Sequence, residues 1–137
     1  MARVPLKDGL LSSVEPGGEP RLLAGRCADC RQFHFPAADV CPYCAGNRCE
    51  IARLSIRGSL FSFTAVTKAP PGYRGTVPYG LGIIELPEGI RIVGRLTEAR
   101  INCLTFGMPM RLVLEDLFVN ETGDTIVGWA FAPEAVP

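Results

Sequence analysis

The chain has one histidine and one tryptophan among 137 residues. So little imidazole leaves almost nothing for chemistry that needs a nucleophile beside a histidine base. No serine sits in a G-x-S-x-G turn, and neither a Walker loop nor a G-x-G-x-x-G run occurs. Excess charge is missing too: 14 basic residues balance 14 acidic ones. This removes the usual electrostatic basis for nucleic-acid binding, so nucleic acid is not an expected partner. No apolar run approaches the roughly 18 residues of a membrane span. The N-terminal stretch MARVPLKDGLLSSVEPGG has no continuous hydrophobic region, so no secretory leader is read. The expectation is a cytoplasmic protein with no membrane partner. Long helical periodicity is also lacking.

What is present is cysteine. Four of the six fall within CADCRQFHFPAADVCPYC, as the pairs Cys27/Cys30 and Cys41/Cys44. Two C-x-x-C knuckles separated by a ten-residue excursion can fold back on each other around one metal ion. In a chain with no sign of export, paired cysteines point to metal rather than disulfide. Four thiolates close a tetrahedron around Zn²⁺ and leave no position for water, so the site is structural. The same spacing suits iron, and a rubredoxin-like electron carrier is a competing reading. Arg31 and Ala45 stand where an iron-site hairpin often has glycine, and zinc is favoured. His34 is expected to be a partly exposed hairpin residue outside the filled shell. One of Phe33 and Phe35 is expected to pack under the metal. Cys49 and Cys103 are expected to be small buried hydrophobes.

The remainder reads as β. Residues 1–25, rich in proline and glycine, form an extended arm; residues 26–49 form the ribbon; residues 50–137 form a barrel domain. Ile51–Lys68 predicts one long strand, bent or bulged at Gly58. Leu81–Leu96 predicts a hairpin about Pro87, Glu88 and Gly89. Thr97–Pro109 is a connection with room for one helical turn, and Met110–Val119 and Thr125–Ala132 are two further strands. Five strands, the first long, suit an OB-type barrel, with an SH3-like barrel or small sandwich as alternatives.

The loop KAPPGYRGTVPYG carries Lys68, Tyr73, Arg74 and Tyr79. Arg91 and Arg95 follow on one strand, four apart and on one face. These residues could meet an anionic ligand, with arginine binding phosphate in two-point fashion and a ring stacking on a base. Ordinary cations on a barrel rim would look the same. An OB module binding nucleic acid through its aromatic residues is a further alternative.

Taken in order, GEPRLLAGRC, FHFP, CPYC, GSLFSFTAV, APPGY, PYGLGIIELPEGIRIVGRL and FGMPMRLVLED resemble a known family. These are the acyl-CoA-associated proteins with an N-terminal rubredoxin-like zinc ribbon and an OB-fold domain. The family pattern has glycine after the second cysteine and Pro-Arg after Phe-Pro; here Arg31, Ala37 and Ala38 stand in those places. The resemblance implies a mainly β chain, a ribbon followed by a five-stranded OB barrel. It implies one structural zinc on Cys27, Cys30, Cys41 and Cys44, and no catalytic residue. It also implies a hetero-oligomer with a thiolase-like catalytic subunit, sharing CoA or acyl-CoA as ligand. The CoA would meet Lys68, Tyr73, Arg74, Tyr79, Arg91 and Arg95. Some relatives serve acetoacetyl-CoA chemistry, others the benzoylsuccinyl-CoA thiolase of anaerobic toluene breakdown; this chain is assigned toward the second.

Overall fold

The computed structural model describes residues 2–13, 19–73 and 75–134. Nine strands follow in chain order: β1 (Arg3–Pro5), β2 (Leu23–Cys27), β3 (Phe33–His34), β4 (Cys49–Arg53), β5 (Arg57–Val66), β6 (Tyr79–Glu85), β7 (Arg91–Leu96), β8 (Pro109–Val119) and β9 (Thr125–Pro133). A single 3₁₀ turn, Ile101–Cys103, lies on the connection from β7 to β8. Among the described residues no helix is long and apolar enough to cross a membrane.

Strands β5 to β9 close on themselves. The order β9-β7-β6-β5-β8 is completed by the β8–β9 pairing. Neighbours run antiparallel except β7 and β9, which are parallel. This is the Greek-key order of an OB barrel, as the strand count predicts. Alternation along β6 and β7 turns Ile84, Ile92 and Leu96 inward. They meet Leu60, Met110, Leu112 and Phe131 in one core. Each such side chain contributes about 1.5–3 kcal/mol by leaving water.

The three short strands β3-β2-β4 form the base of the ribbon. This base is not a separate body: Leu22, Ala24 and Leu54 are fully buried in the barrel's own core. Phe33 and Phe35 also pack against that core, and Phe35 meets the Trp129 ring edge-on at 5.9 Å. Both rings thus join ribbon to barrel. The first residues are held as well. Strand β1 runs parallel to β9, pairing Arg3 with Thr125 and Pro5 with Val127.

The long strand expected over Ile51–Lys68 is two strands. Leu54 is buried and donates its N–H to the Leu22 carbonyl at 3.0 Å, continuing the β2–β4 pairing past the end of β4 before the chain leaves for β5. Gly58 is not a bulge; the register shift in β5 lies between Leu60 and Ser62. Gly58 instead marks a close approach, where β5 leaves β8 for β6: a Cβ there would stand 2.5 Å from the Glu85 carbonyl oxygen. Backbone cannot step aside as a flexible side chain can. Gly58→Ala should therefore destabilise the barrel by about 1–3 kcal/mol, read as a lower denaturant midpoint at unchanged slope.

Candidate metal centre and aromatic groove

Two knuckles of the same construction bring the four cysteines together. In the first, Arg31 N–H donates to the Cys27 carbonyl at 2.8 Å; in the second, Ala45 N–H donates to the Cys41 carbonyl at 2.9 Å. The sulfurs of Cys27, Cys30, Cys41 and Cys44 all lie within 4.8 Å of one another. Across the knuckles Cys27 Sγ is 3.5 Å from Cys44 Sγ, and Cys30 Sγ is 3.6 Å from Cys41 Sγ. A tetrahedron with metal–sulfur bonds of about 2.3 Å has edges of about 3.8 Å. The donor set therefore fits a four-coordinate structural metal, and four sulfurs complete its shell. Backbone N–H groups support the second knuckle: those of Tyr43 and Gly46 point at Cys41 Sγ and Cys44 Sγ, each at 3.4 Å.

Electrostatics within the cluster follow from crowding. Cys27 is brought down to about 7, first by the Cys30 N–H that its sulfur accepts. For Cys44 the Gly46 N–H favours the thiolate, but the Cys27 sulfur, desolvation and the other two sulfurs outweigh it and push the thiol up to about 12. One site shared by four thiols ionises easily once and then resists, unless a cation is present to accept the charge.

His34 is 3% exposed, not a partly exposed hairpin residue. Its ring lies over Gly25 on the paired strand, where a Cβ would stand 2.2 Å from Nε2. Ala38 N–H donates to that Nε2 at 3.1 Å. The histidine supports the ribbon from inside and is not among the clustered ligands. Cys49 lies opposite Cys27 and is half-buried, whereas Cys103 is exposed on the 3₁₀ turn rather than buried. Neither cysteine has a base placed beside it among the described contacts.

The six residues expected at an anionic ligand do not form one cluster. Tyr73, Tyr79 and Arg95 come together in an open groove of about 990 Å³. The two rings are 4.9 Å apart at 40°. The Arg95 guanidinium stands 4.6 Å from the centre of Tyr79, and its Nη1 donates to the Tyr73 hydroxyl at 2.9 Å. Its Nε lies 2.6 Å from Glu115 Oε1. Burial opposes the Arg95 charge, but Tyr73 and Glu115 outweigh it and hold the guanidinium firmly protonated. Glu115 was not picked out by its sequence context; its counterpart is on a strand remote in sequence. Arg91 lies at the other end of β7, about 13 Å away at 3.3 Å per residue. It sits 3.8 Å over the Phe61 ring and 3.5 Å from Glu85. Lys68 is exposed on the loop after β5 and does not line the groove. Arg74 lies outside the described residues.

The knuckles carry measurable strain. Arg31 and Ala45 adopt φ of 64° and 62°, a left-handed conformation that suits glycine. Replacing either with glycine should relieve about 1 kcal/mol of strain, partly offset by the greater freedom of the unfolded chain. Arg31→Val should do the opposite and cost more than 1 kcal/mol, roughly, because a β-branched residue resists positive φ. Chemical denaturation of the metal-loaded proteins checks both signs.

Comparison with known proteins agrees with this architecture. Residues 14–48 match the ChsH2 rubredoxin-like zinc ribbon domain, and residues 52–115 match the ChsH2 C-terminal OB-fold domain. A DUF35 domain-containing scaffold protein of Methanocaldococcus jannaschii is 32% identical over 116 residues, covering 82% of this chain and 81% of that one. The benzoylsuccinyl-CoA thiolase subunit BbsA of Thauera aromatica is 39% identical over 90 residues, 66% of this chain and 61% of its own length. Among solved structures, a chain of the Ltp2-ChsH2(DUF35) aldolase superposes with a TM-score of 0.66 at 25% identity, covering 82% of this chain and 84% of that one. With both domains matched in order and the archaeal relative aligned over most of its length, the chain belongs to the DUF35 family of zinc-ribbon and OB-fold proteins.

Proposed function

We propose that this chain is the non-catalytic, zinc-bearing small subunit of an acyl-CoA thiolase complex. The observation that carries this reading is a metal site closed by four sulfurs, in a chain whose one histidine is bonded to the Ala38 N–H and is not among the hydrogen-bond partners seen for any described cysteine. Such a metal holds shape and offers no open position for substrate. The relative from Thauera, named as a thiolase subunit, supports the choice of partner, and benzoylsuccinyl-CoA is the substrate we assign to the complex. The catalytic subunit supplies the nucleophile and acid–base groups. This chain docks on it through the ribbon and helps to enclose the acyl-CoA.

Within this reading the aromatic groove takes the nucleotide end of CoA. Tyr73 and Tyr79 offer a stacking face beside Arg95, which is already oriented by Glu115 and the Tyr73 hydroxyl. Lys68 and Arg74, on the loop that carries Tyr73, are assigned to the CoA phosphates. Arg91, seated on Phe61, has a local role on the barrel wall.

Purification of the tagged chain from its source organism should recover a thiolase-fold partner; a preparation that repeatedly recovers none overturns the reading. The isolated protein should be colourless with one zinc per chain; a red protein carrying iron would make it an electron carrier. Cys41→Ser should release the metal, unfold the ribbon and free the partner, because metal affinity in so small a unit is folding free energy. For CoA, Arg95→Gln and Tyr79→Ala should each weaken binding to the complex by about tenfold, near 1.4 kcal/mol. Arg91→Gln should stay within about twofold. Calorimetric titration of CoA into the assembled complex reads all three.

A further inference from the structure

A second cavity, of about 320 Å³, lies between the N-terminal arm and the barrel wall. Small-molecule sites span about 300–1,000 Å³. Leu6 and Leu10 line it from the arm; Leu81, Val93, Leu117 and Trp129 line it from the barrel. The arm is tied down on both sides of this slot. Leu6 N–H donates to the Val127 carbonyl at 2.9 Å, Leu23 N–H donates to the Leu10 carbonyl at 2.9 Å, and Leu11 bridges to Leu22. These backbone bonds hold two apolar walls apart. Water between such walls is replaced favourably by hydrocarbon.

The slot is carbon-lined, and two basic residues stand at its rim: Lys7, exposed on the arm, and Arg95, ion-paired with Glu115, on the barrel side. A guanidinium has five N–H donors. Arg95 Nη1 donates to the Tyr73 hydroxyl, its Nε is ion-paired with Glu115 Oε1 without an aligned hydrogen bond, and no other hydrogen bond from this side chain is seen among the described residues. No carboxylate lines the slot itself. An apolar guest with a negative end therefore matches both walls and rim.

We propose that this slot binds the hydrocarbon part of a small anionic amphiphile, a medium-chain or aryl carboxylate, with its carboxylate at Lys7 and Arg95. The site goes beyond the subunit role and does not require CoA in the neighbouring groove.

Trp129 is the sole tryptophan and lines the slot, so its emission reports occupancy. The probe is decanoate, titrated into the full chain below the concentration at which it forms micelles. A saturable change in Trp129 emission is expected, with Kd below about 1 mM. Decyltrimethylammonium, with the same chain length and opposite charge, should bind at least about tenfold more weakly. Leu10→Phe fills the slot from the arm and should weaken decanoate by about tenfold at unchanged metal content. Lys7→Glu alters only an exposed side chain, keeps the test open if Leu10→Phe fails to fold, and should also weaken decanoate by about tenfold. Absence of a saturable change with decanoate overturns the proposal. So does equal binding of the cationic amphiphile, or undiminished binding in a folded Leu10→Phe or in Lys7→Glu. Arg95 lines both cavities, but Lys7 and Leu10 line only the slot; Lys7→Glu and Leu10→Phe should therefore weaken decanoate and leave CoA titration unchanged, which distinguishes failure of one site from failure of the other.

Discussion

Four thiolates gathered within 4.8 Å repel one another unless a cation sits among them. That constraint organises the front of the molecule. The four sulfurs join the two knuckles, Asp29 of the first reaches Arg48 just past the second, and the joined knuckles hold the excursion between them. The excursion in turn seats His34 over Gly25 and presses Phe35 against Trp129. Two non-glycine residues are forced to positive φ at the knuckle ends. This local cost is tolerated because the surrounding sulfur geometry over-determines the backbone.

Below the knuckles the ribbon gives up its independence. Leu22, Ala24 and Leu54 belong to the same core as Phe131 and Met110. A small metal minidomain has little apolar surface to bury on its own, and this one borrows the barrel's interior. The ribbon is thereby fixed relative to the barrel, with its knuckles exposed on one side at Cys44 and Tyr43 and buried on the other at Cys27 and Cys41. The barrel adds two surfaces: an aromatic groove with an oriented arginine and, beside it, an apolar slot.

Much of this was legible in the sequence, where the relevant physics is local. Metal-ligand spacing placed four sulfurs together, and turn residues at Pro87–Gly89 and between Val119 and Thr125 marked the barrel strands from β6 onward. The connection between β7 and β8 had room for a single helical turn and contains one 3₁₀ turn. What escaped depends on contacts between distant residues. The break between β4 and β5 separates residues that pair with β2 from residues that pair with β8 and β6, partners distant in sequence, while the apolar pattern runs on through it. His34 reads locally as a polar hairpin residue; only the bare strand opposite, at Gly25, lets it go inside. The three residues of β1 look like a tail, since nothing in Arg3–Pro5 announces a parallel pairing with β9. Among the expected ligand residues, strand spacing put Arg91 and Arg95 on one face but could not show that Phe61 and Glu85 hold the first while Tyr73 and Glu115 hold the second.

On the function proposed above, this polypeptide shapes an acyl-CoA site whose chemistry another chain performs. The most direct test is turnover of benzoylsuccinyl-CoA by three samples: this chain alone, the catalytic partner alone, and the reconstituted complex. This chain should show no turnover at any concentration, and full activity should appear only in the complex. Thioester cleavage by the purified chain by itself, scaling with its concentration and free of partner, would contradict the proposed function.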